Sequence, residues 1–345
     1  MKTLILATSR NTRGGITSVV KAHEQGAQWK EYNCKWIETH IDTGVLAALW
    51  YFFKSYVQFL YYLPTAKIIH FHLSEPGSAI RKLLYFYPAH LLKKKTIIHF
   101  HAFSPETTIN GSKQWVYRYI FCRADKVVVL SDTWKKVVYE AFNNENIEVV
   151  YNPCTTIVSE NNYFKQKNIL YAGAINARKG YADMIRAFAK IAHEYSDWNI
   201  VFAGNGEIEE GRALAKELGI VNQCKFLGWL NGEQKDKAFK EATIFCLPSY
   251  AEGFPMAVLD AWAYGLPVIT TPVGGIPDVA KNDENMLVFN PGDVEILADC
   301  MQRLITDEIL YDKIQKASID FAENKFSLKE INTQIGNIYN ELIKY

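Results

Sequence analysis

The chain has 345 residues, too many for one ordinary hydrophobic core, so two domains are expected. Apolar residues make up 49%, and 38 Lys plus Arg nearly cancel 37 Asp plus Glu to leave +1, which excludes a disordered polar chain and gives no global pull toward nucleic acid. Six scattered cysteines without a C-x-x-C pair exclude a zinc ribbon and fit a reducing, cytoplasmic compartment.

Taken in chain order, "KTLILAT" reads as a strand, too short and too soon broken by "RGG" for a signal peptide. Gly14 and Gly15 bridge it to a helix, "GGITSVVKAHEQGAQ". "VLAALWYFFKSYVQFLYYLP" is the longest apolar stretch, but Lys54, Ser55 and Gln58 interrupt it. It suits a surface better than a bilayer crossing. "KIIHFH", "TIIHFH" and "KVVVLS" follow as strands separated by helical segments, and "IEVVYNP" closes this series. A polar stretch near residues 155–166 marks the expected junction. The alternation then restarts with "NILYAGA", helix "YADMIRAFAKIAHEY", strand "NIVFAGNG", helix "EEGRALAKELG", and strands "CKFLG", "TIFCLPS" and "LPVITTP". Such alternation implies right-handed crossovers and parallel sheets with helices on both faces. The expected division is 1–155, 156–326, and a last helix at 327–345 packing back on the first domain. Two doubly wound domains of this kind place ligands at strand carboxyl ends, facing a shared cleft.

The pentapeptide "IIHFH" occurs twice, ending at His72 and at His101. Residues two apart on a strand share a face, so His70 pairs with His72 and His99 with His101. A four-imidazole metal cage needs both strands in matching register with lone pairs converging within about 2 Å of one ion. The alternative makes His70 and His99 structural and leaves His72 and His101 at the functional edge of the first sheet.

The richest segment is "SYAEGFPMAVLDAWAYGLPVITTPVGGIPDV", Ser249 to Val279. A strand runs into a loop holding Glu252, Gly253, Phe254 and Pro255. A helix then starts at Met256, carries Asp260 and ends at Gly265. Amides at such a helix start favour an anion such as a diphosphate, while a nearby carboxylate accepts from sugar or ribose hydroxyls. In "YAGAINARKGYADMIRAF", Lys179 stands just before Gly180 at a helix start, where a point charge meets a phosphate.

These segments resemble the retaining glycosyltransferases of family four, of the GT-B fold: α/β, with two doubly wound Rossmann-like domains whose parallel sheets face across a cleft. The match to the E-x7-E motif runs through Glu252, Gly253, Phe254, Pro255, Ala261, Gly265, Pro267, Val268, Gly274 and Gly275, with Asp260 in place of the second glutamate. The resemblance implies that Glu252 binds donor-sugar hydroxyls, that Asp260 binds the ribose, and that Gly253, Phe254, Pro255 and Met256 frame the donor. It makes Lys179 a phosphate ligand. The family arginine before it is Ala174 here; Arg178, next to Lys179, either supplies the missing charge or is a solvated surface residue. Gly15 corresponds to the family's glycine loop, although an ordinary tight turn explains the pair equally well. Trp229, in "FLGWLNGEQ", either stacks on the nucleobase or packs. His101 takes the place of the histidine that meets the reacting sugar, and His72, its equivalent on the next strand, is expected to touch the acceptor.

The implied activity is retaining transfer of a hexosyl or N-acetylhexosaminyl group from a UDP- or GDP-sugar to a glycan hydroxyl. Glu252, His101 and Lys179 are its catalytic candidates. The resemblance implies no metal or cofactor, and the sequence offers no D-x-D carboxylate pair to hold one. Arg81 and Lys82, Lys93 to Lys95, and the aromatic segment Trp50 to Tyr62 suggest a membrane surface and a lipid-linked acceptor at the inner face of the plasma membrane. A sugar-nucleotide epimerase or phosphorylase, or a non-catalytic sugar-nucleotide binder, remain as rival readings.

Overall fold

The computed structural model describes residues 2–12, 14–102, 104–154 and 165–344. The polar junction expected near 155–166 lies almost wholly outside the described residues. The chain divides into two compact units, Met1–Pro153 with Leu328–Tyr345, and Cys154–Ser327.

In unit 1 the elements are β1 (Lys2–Ala7), α1 (Gly15–Glu24), α2 (Ala27–Glu31), β2 (Cys34–Glu38), α3 (Val45–Tyr62), β3 (Ala66–Leu73), α4 (Pro76–Leu91), β4 (Lys95–Phe100), α5 (Gln114–Phe121), β5 (Lys126–Val129), α6 (Asp132–Phe142) and β6 (Ile147–Val149). They form one parallel sheet in the order β2-β1-β3-β4-β5-β6. Strand β2, "CKWIE", alternates too weakly to stand out in the sequence. The order reverses between β1 and β3, the switch point where open α/β sheets receive ligands.

Both faces of the sheet are covered. Leu6, Ile69, Phe71, Ile98 and Val127 pack on one side with Phe59, Tyr85, Tyr117 and Phe121, all nearly solvent-free. Ile5, Ile68, Ile97 and Val128 pack on the other with Ile331, Ile335 and Tyr339. The last three belong to the C-terminal helix, which therefore serves as a face of the first sheet.

Unit 2 contains β7 (Asn168–Ala172), α7 (Tyr181–Ile191), β8 (Asn199–Ala203), α8 (Ile208–Glu217), β9 (Cys224–Gly228), α9 (Gly232–Glu241), β10 (Ile244–Leu247), α10 (Met256–Ala263), β11 (Val268–Thr270), β12 (Leu287–Val288), α11 (Val294–Thr306) and α12 (Glu308–Asp320). The final helix, α13 (Leu328–Lys344), returns the chain to unit 1. The sheet order β12-β11-β10-β7-β8-β9 is again all parallel and reverses between β7 and β10. Loops following β7 and β10 therefore meet at the switch point, and those loops carry Lys179 and Glu252.

Candidate functional site

The β7–α7 loop is held down by its own side chains and one obligatory glycine. Asn176 Oδ1 accepts from the Lys179 amide at 3.1 Å, closing a short 3-10 turn at Ala177–Lys179. Gly180 then adopts φ +70°, and a Cβ there would lie 2.0 Å from the Pro248 carbonyl oxygen. Only glycine permits both the left-handed backbone and this approach to the end of β10. Lys179 is thereby brought beside the β10 loop, where its ammonium donates to Glu252 Oε1.

Glu252 is 8% exposed and also accepts from Ser249 Oγ at 2.7 Å. Arg178 points the same way. Its Nη1 donates to the Ala251 carbonyl at 2.6 Å and stands 3.9 Å from Glu252 Oε2. Gly274, at φ +60°, packs so tightly on this loop that a Cβ would lie 2.2 Å from the Gly253 oxygen. The Gly275 amide donates to the same carbonyl at 2.7 Å. The distant "EGF" and "GG" pieces of the motif are thus one packed backbone unit.

Helix α10 begins at Met256 with Pro255 before it and no side-chain cap; the Val258 amide donates to the Pro255 carbonyl, so the Met256 and Ala257 amides remain as donors. Four residues in, Asp260 is largely covered, with 13% of its side chain exposed, and desolvation pushes its carboxyl pKa upward, offset in part by Lys235. Lys235 Nζ donates to its Oδ2 at 2.6 Å. Nothing in the sequence marked Lys235, because its partner lies on another helix, 25 positions away. The Phe254 side chain, expected to frame the donor, is instead 3% exposed and packs against Trp262 and Phe326. That position has only backbone to offer a ligand. Trp229 is 40% exposed and its amide donates to Asn205 Oδ1 at 2.9 Å, tying the "GW" turn to the "AGNGEI" loop.

In unit 1, Gly15 opens α1, and Gly14 before it sits at φ +153° with open space where a Cβ would be. The histidine repeat is staggered. Strand β3 pairs His72 with His99, and β4 ends one residue before His101. His72 and His101 are therefore not equivalent positions. His72 is 1% exposed and its Nδ1 lies 2.9 Å from His101 Nε2, so it sits behind His101 and presents no surface to an acceptor.

Ligand nitrogens of His70, His72 and His99 fall within 4.8 Å of one another. Their rings are near-parallel, at 12–29°, and stacked 4.7–5.5 Å apart. Lone pairs lie in the ring planes, so stacked rings do not aim at a common ion. Burial, with mutual repulsion between imidazoles, lowers the pKa of all three well below the usual histidine range. Burial takes His23, beneath them, down to about 4.

One further expectation fails. Lys82, read as part of an exposed basic cluster, is 1% exposed and its Nζ donates to Thr39 Oγ1 at 2.6 Å. Its place on the inner face of α4 decides this, and charge in the sequence does not reveal it. Lys93 is exposed, while Lys94 and Lys95 bond the Pro64 carbonyl and Asp125.

The family model of glycosyl transferases group 1 matches residues 155–321. An uncharacterized glycosyltransferase of Haemophilus influenzae is 31% identical over 211 residues, 58% of each chain. A lipopolysaccharide 1,6-galactosyltransferase of Salmonella typhimurium is 28% identical over 232 residues, 65% of this chain and 64% of its own. The chain thus spans about three fifths of the length of these curated relatives. Among solved structures, Anabaena Alr3699/HepE in complex with UDP is similar over 99% of this chain and all of its own, with a TM-score of 0.77 at 18% identity. Sucrose-phosphate synthase from Thermosynechococcus elongatus gives 0.80 at 17% identity over 100% and 99%. Two six-stranded parallel sheets flanked by helices are the GT-B fold these proteins share.

Proposed function

We propose that this chain, whose residues 155–321 belong to glycosyl transferases group 1, is a transferase that moves a sugar from a nucleotide-diphosphate sugar to an acceptor hydroxyl with the anomeric configuration kept. One observation carries the reading. Glu252 is buried among Lys179, Ser249 and Arg178, at a sheet switch point and beside the uncapped start of α10. A carboxylate so placed reads sugar hydroxyls, and cationic and amide donors around it receive a diphosphate.

Bond cleavage throws negative charge onto the leaving diphosphate. Lys179, already next to Glu252, and the Gly253 to Met256 backbone are aimed to stabilise that charge. Arg178 supplies the second cation that Ala174 cannot. Asp260, held by Lys235, is assigned the ribose, and Trp229 the base. Within unit 1, Gly15 is assigned a phosphate and His101 the reacting sugar, with His72 fixing the His101 ring. The reading calls for no metal, because charge stabilisation rests on side chains and amides. UDP-sugars are the first donors to try, given the UDP held by Alr3699/HepE.

Helix α3 supports an acceptor presented at a membrane. Leu46, Trp50, Phe53 and Tyr61 are 62–84% exposed on it, while no helix among the described residues is long and apolar enough to cross a bilayer. Nucleotide release from a panel of UDP- and GDP-sugars, with and without a glycan acceptor, tests the activity. Release of free sugar phosphate without any acceptor dependence would favour a phosphorylase and defeat the transferase reading.

A further inference from the structure

Lys82 has no explanation in the reaction above. An ammonium removed from water normally has a carboxylate beside it. Here its bond is to a neutral hydroxyl, Thr39 Oγ1, and no ion pair involving Arg81 or Lys82 exists among the described residues. Thr39 follows β2, and its amide donates to the Ala7 carbonyl at the end of β1. The site therefore lies at the carboxyl edge of the unit 1 sheet.

Three further observations converge there. Arg81 is only partly exposed, and its Nε is buried without a hydrogen-bond partner. Its side chain folds back along α4, with Nη1 3.6 Å from where Gly77 would carry a Cβ, so the guanidinium overlies the positive end of a 16-residue helix. His40 Nε2 is bonded to Asp42 at 2.8 Å, yet its pKa is lowered, by burial first and then by the charge of Arg81. Asp42, with 60% of its side chain exposed, is the carboxylate acting on both His40 and Arg81.

We propose that Arg81, Lys82 and His40 form a binding site for a phosphate group carried by the acceptor. An anion there would restore the missing countercharge, accept the free Arg81 Nε–H and meet the Gly77 amide, since the Ser78 and Ala79 amides already donate to the Glu75 carbonyl. Unpaired, Lys82 has its pKa pushed down to about 7 by burial and the neighbouring Arg81 charge. A bound phosphate reverses that balance and keeps Lys82 charged. The assignment of the phosphate to the acceptor rests on the transferase reading; the site itself does not.

Isothermal titration calorimetry of the full chain with inorganic phosphate, geranyl phosphate and glucose 1-phosphate tests this. Wild-type protein binds phosphate at pH 8 with proton uptake, seen as a heat that varies with the buffer's ionisation enthalpy. Arg81→Gln and Lys82→Met weaken binding at least about tenfold, as expected for loss of a charge-assisted bond. Lys82→Met also abolishes the proton uptake. Arg81→Lys keeps the charge but not the fork, and falls between wild type and Arg81→Gln. Tighter geranyl phosphate marks a lipid-linked source, tighter glucose 1-phosphate a soluble one, and equal affinity a free phosphate. Absence of wild-type phosphate binding at 10 mM-scale ligand, or variants that bind as wild type does, overturns the proposal. Donor turnover by the same wild-type preparation separates the two ideas. Turnover without phosphate binding removes the site and spares the transferase, and the reverse removes the transferase and spares the site.

Discussion

Acidification should dismantle unit 1 from its histidine stack outward. His23, His70, His72 and His99 are at most 3% exposed, and all have pKa values lowered chiefly by burial. A group whose folded pKa is depressed binds fewer protons folded than unfolded. Its contribution is whole above the unfolded histidine pKa of about 6.5 and is lost as pH falls toward the folded value, about 4 for His23. At pH 5 each histidine that stays neutral in the fold costs about 2 kcal/mol relative to an unfolded chain that protonates it. Four of them sum to about 8 kcal/mol, within the range of about 5–15 kcal/mol that holds a domain together.

Urea unfolding at pH 7.5, 6 and 5, with hydrogen exchange followed on β3 and β4 peptides, reads the effect by region. Unit 1 loses most of its protection by pH 5, while unit 2, which holds only His193, holds steady. His99 has neither ring nitrogen hydrogen-bonded, so His99→Leu removes a titration without removing a bond. It should flatten the pH slope by about 1 kcal/mol per unit between pH 6 and 5. Equal urea midpoints at pH 7.5 and 5, or an unchanged slope in the variant, would refute the reasoning.

Glu252→Ala should lower turnover by about 10²–10³, in line with loss of one preorganised polar group, and leave Lys179 with no acid beside it; steady-state rates with the best donor check this. Gly180→Ala forces a methyl into the Pro248 carbonyl and a left-handed backbone on alanine. It should cost about 1–3 kcal/mol in the urea stability of unit 2 and raise the donor KM by displacing Lys179. Extended dialysis against EDTA should leave transferase rates unchanged, and a loss restored by a divalent ion would show the metal-free reading wrong. Cosedimentation with anionic vesicles should occur at low salt and weaken when Trp50 and Phe53 are replaced by serine, whereas equal pelleting would point away from α3 as the docking face.

The alternation of strands and helices, the glycine-and-acid order from Glu252 to Gly275, and the Lys179–Gly180 turn are all local patterns, and local patterns were enough to indicate two doubly wound units and to single out Lys179 and Glu252, which the fold brings together. Short-range sterics and hydrophobic periodicity act between near neighbours, so the one-dimensional order records them. What touches what across elements was not recorded. Pairing of His72 with His99 instead of His101 depends on strand register, which the two identical pentapeptides leave ambiguous. The burial of Lys82, the Lys235 partner of Asp260 and the inward turn of Phe254 depend on helix rotation and on residues tens of positions apart. Those were decided by packing in three dimensions, where the same cation is a solvated charge on one face of a helix and an uncompensated one on the other.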